Sequence, residues 1–305
     1  MARKSNRSNL YEEVTAKIID DLEDGRVPWV QPWGTDHVNA ALGLPRNATT
    51  HRPYSGINIL ILWGAVIEGE YSCQHWLTLK QGNKLKAKVR KGERGTTVCY
   101  ADKFIPKDEK ERAAADGDEA QARPFLKRFT VFNVDQFEGL PESAYQTAPP
   151  LPEREIVPAA EALIEATGAD FRIGGNRAFY QLAGDFVQVP PPTAFPDQTN
   201  FYGVSFHELG HWSRHPSRLD RDFGRKTWGD AGYAREELVS EMCAAFVCAE
   251  LGIKPTVRHA DYLGHWIDVL REDNRAIFQA ASHASKAADY LLQFRASDDS
   301  QEDAA

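Results

Sequence analysis

The segment that most constrains this chain is His207-Glu208-Leu209-Gly210-His211. Two histidines four apart on a helix lie one above the other and can share one ion, while the glutamate between them points toward a water held there. Its setting suits a helix: Asp197 or Thr199 is available as cap, and a short strand, Phe186 to Val189, comes before it. Pro190, Pro191 and Pro192 stop that strand and mark it as an edge strand or its exit.

A catalytic metal needs a third protein ligand and one open position. The three-histidine spacing of metzincins would place that ligand at 217, which is Ser217, and His215 stands beside Pro216 where the helix ends. The better source is a downstream helix, Ala234 to Leu251, whose stripe of Glu237, Ser240, Glu241, Ala244, Val247 and Leu251 lets it pack close against the histidines. Glu237 resembles the gluzincin ligand and Glu241, one turn on, the acid that orients a ligating histidine; the opposite assignment stands beside it. The expected cofactor is one divalent ion, zinc first and manganese second. Glu208 is the candidate general base, and Tyr233, His259 and Tyr262 are candidate oxyanion donors.

At 305 residues the chain is long enough for two domains, and 42% apolar with 26% charged residues is neither disordered nor membrane composition. The longest apolar stretch, Ile57 to Ile67, is well short of the roughly 20 residues that cross a bilayer. Four cysteines form no disulfide framework, and the basic N-terminus lacks the apolar region of a secretory signal, so a reducing cytoplasm is expected.

The net charge of −8 hides a division: residues 1 to 135 carry 21 Lys/Arg against 18 Asp/Glu, and residues 136 to 305 carry 15 against 26. In the first half, Trp29, Trp33, Tyr54, Trp63, Trp76, Tyr100 and Phe104 accompany the basic run from Lys80 to Lys103. Cations that track phosphates and rings that stack on unpaired bases are how single strands are bound. Lys84, Lys86, Lys88 and Arg90 alternate, which on a strand would put all four on one face, with Lys91 next to them.

Periodicity predicts a helix over Leu10 to Leu22, a helix from about Gly56 to Glu68, and strands over Leu85 to Arg90, Thr96 to Phe104 and Phe125 to Val134. The charged segment 107 to 123 reads as a solvated loop. The second half predicts a helix from Val157, three short strands, the HELGH helix and three more helices. The expected fold class is α+β in two domains: 1–138 binding single-stranded DNA, a proline-rich linker at 139–155, a zincin-like metallopeptidase domain at 156–296 and a disordered tail at 297–305.

The motifs WVQPW at 29–33, PRN at 45–47, YSGIN at 54–58, the Trp76-Leu-Thr segment and VRKGERGTTV at 89–98 mark the first half. DFVQVP at 185–190, HELGHW at 207–212, YAREELVSE at 233–241 and KAADYLL at 286–292 mark the second. In this order they resemble the ArdC-type antirestriction proteins of conjugative plasmids and related mobile elements. The resemblance implies an N-terminal domain that binds single-stranded DNA, with Asn58 among its motif positions, a C-terminal zincin-like domain, and protection of incoming plasmid DNA from restriction. A protein substrate or a restriction-system component is a further expected partner, with no membrane. Two other readings stand beside it: a soluble metallopeptidase whose first half recruits a protein substrate, and a binding protein whose metal only fastens two helices.

Overall fold

The computed structural model describes residues 9–30, 40–116, 119–121, 123–145, 153–224, 230–254 and 263–295. Helix α1 (Leu10–Glu23) opens on the Asn9 side chain, which accepts from the Tyr11 N–H, and buries Leu10, Ile18 and Leu22 on one stripe. Helix α2 (Ile57–Glu68) is apolar nearly all round and buried on several sides. Around them stands a four-stranded sheet in the order β1 (Arg46–Asn47), β2 (His75–Thr78), β5 (Arg123–Asn133), β4 (Thr96–Phe104), with β4 and β5 paired over nine residues. β4 is an outer strand, and the Asn58 amide on α2 bonds both the N–H and the C=O of Cys99, so α2 covers that edge.

Two first-half expectations are corrected. Leu85 to Arg90 is not one strand: Thr78 and Gln81 form a capping box that opens a short helix α3 (Leu79–Lys84), Lys86 follows with φ +61°, and only Lys88–Val89 (β3) pairs, with β6 (Phe137–Glu138). Gly82 permits this turn, because a Cβ there would run into the Phe137 ring. The expected loop from 107 begins as a helix, α4 (Lys107–Asp116), supported by alanine-rich sequence and a Glu109–Arg112 pair one turn apart.

The second half opens with α5 (Glu153–Ala166), whose first turn begins inside the expected linker range of 139–155. A three-stranded sheet follows in the order β7 (Asp170–Ile173), β9 (Phe186–Val189), β8 (Phe179–Gln181). β9 is therefore central, parallel to β7 and antiparallel to β8, and the prolines mark its exit, not an edge. Helices α6 (Gln198–Trp212), α7 (Ala231–Leu251), α8 (Leu263–Glu272) and α9 (Ala276–Leu292) complete the domain. All four cysteines are buried and free, and no described helix is long and apolar enough to cross a membrane.

The largest core runs without interruption through both halves. Trp29 packs edge-on against Trp266 with ring centroids 5.4 Å apart, and Trp63 against Phe246 at 5.7 Å. Arg46 Nη2 donates to both carboxylate oxygens of Glu250, and the Gly56 N–H donates to Ser285 Oγ at 2.7 Å. Because Trp63 is wholly buried at this junction, Trp63→Ala is expected to cost about 3–5 kcal/mol. Denaturant unfolding followed separately by probes in the two halves will show both transitions moving together.

Candidate metal centre

Asp197 caps α6 by accepting from the Thr199 N–H and Oγ1, as its sequence predicts. Helix α7 crosses close behind it. A Cβ placed on Gly210 would lie 3.3 Å from the Ser240 Cα, so glycine at 210 sets how near the two backbones come. That approach brings the histidines of α6 to the acids of α7.

His207 Nε2 and His211 Nε2 are 3.1 Å apart, and the two Glu237 carboxylate oxygens lie 3.4 Å from one and 3.4 Å from the other. A tetrahedral ion with bonds of about 2.0–2.1 Å needs donors about 3.3–3.4 Å apart, so these three residues can supply the donors of one ion. Glu241 sits instead behind the His207 ring, its Oε1 3.5 Å from Nδ1. Glu208 is 7% exposed next to His207 and has no hydrogen bond or ion pair with any described residue.

Behind His211 lies a brace that sequence reasoning missed. His211 Nδ1 is 3.2 Å from Glu236 Oε1 and 2.9 Å from Ser240 Oγ. Arg221, fully buried, grips Glu236 through Nε at 2.8 Å and Nη2 at 2.6 Å, and donates to the Gly210 C=O at 2.9 Å and Ser213 Oγ at 3.2 Å. Glu236 is visible in the sequence as the first acid of the EELVSE run, one residue around the helix from Glu237. Arg221 stands in a polar loop where no period signals burial.

The electrostatics suit a cation. Burial disfavours a charged His211, yet Glu237 and Glu236 outweigh it and push its pKa up to about 10. Burial likewise disfavours the Glu237 carboxylate, and the two imidazoles overcome this and hold its pKa well below the usual range. The three donors are thus buried together and compensated by one another and by the acids behind the rings.

Of the other candidate residues, His215 is turned to Ser217 within its own loop, Tyr233 lies in the first turn of α7, and His259 and Tyr262 fall outside the described residues. The expected stacking rings are mostly core: Trp29 is 1% and Trp76 0% exposed, which rules out stacking on a base. Tyr54 is half-buried, Asn58 is bonded to β4, and Trp33 lies outside the described residues. Lys84, Lys86, Lys88, Arg90 and Lys91 are all exposed, without an ion pair to described residues, but distributed over α3, a turn and β3 and not along one strand face. Among the described residues the large exposed rings are Tyr100 at 53% and Phe129 at 46%, side by side on β4 and β5 with centroids 5.9 Å apart. Phe129 becomes legible only once β4 and β5 are paired.

A strand layer, a helix with two histidines one turn apart and a crossing helix that carries the acids define a zincin-like domain. A family model described as zincin-like metallopeptidase matches residues 158–283, and one described as the N-terminal domain of anti-restriction factor ArdC matches residues 8–132. The solved antirestriction ArdC protein from plasmid R388 superposes with a TM-score of 0.78 at 35% identity, over 94% of this chain and 98% of that one. Its Mn(II)-bound structure gives 0.77 at 34%, over 95% and 100%. The chain belongs to the ArdC family of antirestriction proteins. It is also 38% identical to the y4eC protein of Sinorhizobium fredii, over 93% of this chain and 92% of that one. Against DNA primase TraC of Escherichia coli it is 37% identical over 93% of its own length but only 27% of that protein.

Two expectations follow. Gly210→Ala should press its methyl on the Ser240 backbone, shift α6 against α7 by a few tenths of an ångström and weaken divalent-metal binding, read by isothermal titration with thermal melting alongside. In chelator-treated protein His211 has a folded pKa of about 10 against an ordinary 6.5, so its contribution is complete below pH 6.5 and lost as pH rises through 10. Melting temperature is expected to fall over that window, whereas metal affinity is expected to rise because binding displaces protons.

Proposed function

We propose that this chain is an antirestriction protein that holds one divalent ion through His207, His211 and Glu237, binds single-stranded DNA, and carries out metal-dependent peptide hydrolysis. The observation that carries the reading is the meeting of those three donors at tetrahedral spacing with Glu208 beside them. Zinc suits two imidazoles and a carboxylate, and the Mn(II)-bound relative supports manganese as a second occupant.

Such an ion supplies Lewis acidity, polarising a carbonyl oxygen and lowering the pKa of a nearby water. Glu208 takes the proton of the attacking water as its oxygen bonds the peptide carbon, and returns it to the amide nitrogen as the C–N bond breaks. Glu236, held by Arg221, meets His211 Nδ1, and Glu241 lies 3.5 Å from His207 Nδ1 at ion-pair distance, which favours rings with their Nε2 atoms turned inward.

The DNA reading is supported by the exposed cations Lys84, Lys86, Lys88, Arg90 and Lys91, by the rings of Tyr100 and Phe129, and by the likeness of 93% of this chain to about a quarter of a DNA primase. The role that follows is protection of incoming plasmid DNA in the recipient cytoplasm, with a restriction-system component or another protein as the peptide substrate.

Glu208→Gln is expected to retain metal content and melting temperature while abolishing hydrolysis of casein in the presence of an oligonucleotide, and His207→Ala to lose the metal. Unchanged turnover by Glu208→Gln would remove the hydrolytic assignment, and antirestriction activity retained by that variant would assign the biology to binding.

A further inference from the structure

Between the two domains runs a groove of about 660 Å³ with one wall from each. The C-terminal wall is α9 with its N-cap Arg275, followed at helical spacing by Gln279, Ser282, Lys286 and Asp289, all exposed. The opposite wall carries Tyr11 and Tyr100.

The charges of this groove are suited to an anionic chain. Neither Arg275 nor Lys286 has an ion pair among the described residues, and the Arg275 guanidinium sits 5.2 Å above the Tyr11 ring. Eleven residues separate the two cations, which is three turns or roughly 16 Å along the helix. Against them stands one carboxylate, Asp289. Burial holds the pKa of His283, beside them, below its ordinary value.

An occupant must therefore offer negative charges spaced over some 16 Å, flat faces for Tyr100, and hydrogen-bond partners for Gln279 and Ser282. Phosphates and unpaired bases of a single strand meet all three requirements. A duplex meets only the first, because its bases are already stacked.

We propose that single-stranded DNA lies along this groove, with phosphates on Arg275 and Lys286 and a base on Tyr100, so that the metal-bearing domain itself holds the strand. The inference rests on the DNA-binding reading above and gives it a place. His283, on the same helix, meets Phe223 edge-on at 5.3 Å, two residues from the Arg221 that braces His211, so the strand would lie close to the metal site's own scaffold.

The test is fluorescence anisotropy of a labelled oligo-dT with the full chain, titrated with salt. Arg275→Glu/Lys286→Glu is expected to raise Kd at least tenfold and to flatten the slope of log K against log salt by about 1.4, at about 0.7 for each phosphate no longer neutralised. Tyr100→Ala, which alters no charge, is expected to raise Kd about tenfold with melting temperature and metal content kept, which separates a missing base stack from a folding defect. If Arg275→Glu/Lys286→Glu binds like the unaltered protein while Lys88→Glu/Arg90→Glu is weakened, the groove is refuted and the DNA reading survives. If the unaltered protein shows no salt-dependent binding, both fail. Competition by polyglutamate as strong as by unlabelled oligo-dT would also overturn the groove, since it would make the occupant a generic polyanion.

Discussion

The near contact of α6 and α7 at Gly210 and Ser240 is the constraint on which the rest of the structure depends. With a side chain at 210 the Ser240 backbone would have to give by a few tenths of an ångström, which would disturb the fit of the Glu237 carboxylate between the two imidazoles. Every polar group drawn into this contact has been removed from water, so each needs a partner. Glu237 meets His207 and His211, Glu241 meets His207, Glu236 meets His211, and Arg221 neutralises Glu236. A buried network of this kind holds ring orientation firmly because breaking any one pair strands a charge in the interior.

The second organising force is the apolar junction between the domains. Trp29 and Trp63 do not present their faces to solvent; they pack against Trp266 and Phe246 of the other half. Large rings bury the most apolar area per residue, so a chain of two modest domains uses them where the domains meet. The two domains share one continuous core, which places β4, β5 and α9 on facing sides of a groove. The geometry of that groove depends on the junction being rigid.

Much of the local structure is legible in the sequence. β4 has the bounds that alternation predicts, the three short strands before HELGH are present, and the caps at Asn9 and Asp197 act as their residue types suggest. The departures have physical causes. Alternation over 84–90 reads as a strand because a period of two is the only visible cue, while the Thr78–Gln81 capping box and the left-handed Lys86 divide the segment. The prolines after Val189 suggest an edge because the sheet order, with β9 in the middle, is a long-range property. Residue type alone cannot divide the aromatic residues between stacking and core, because it does not tell a buried ring such as Trp76 from an exposed one such as Tyr100.

By itself the sequence determined the helix that carries His207, Glu208 and His211 on one face, the acidic stripe on the following long helix, and the family to which the chain belongs. These depend on spacings of three and four residues, which helical geometry turns directly into neighbours. Only the tertiary structure decided that Glu237 faces both imidazoles while Glu241 stands behind one, that Arg221 comes from a loop to brace Glu236, and that tryptophans join the domains while Tyr100 and Phe129 stay exposed. Each of these is fixed by how separate elements pack, and the balance of burial, pairing and close approach that selects one packing is not written in any local period.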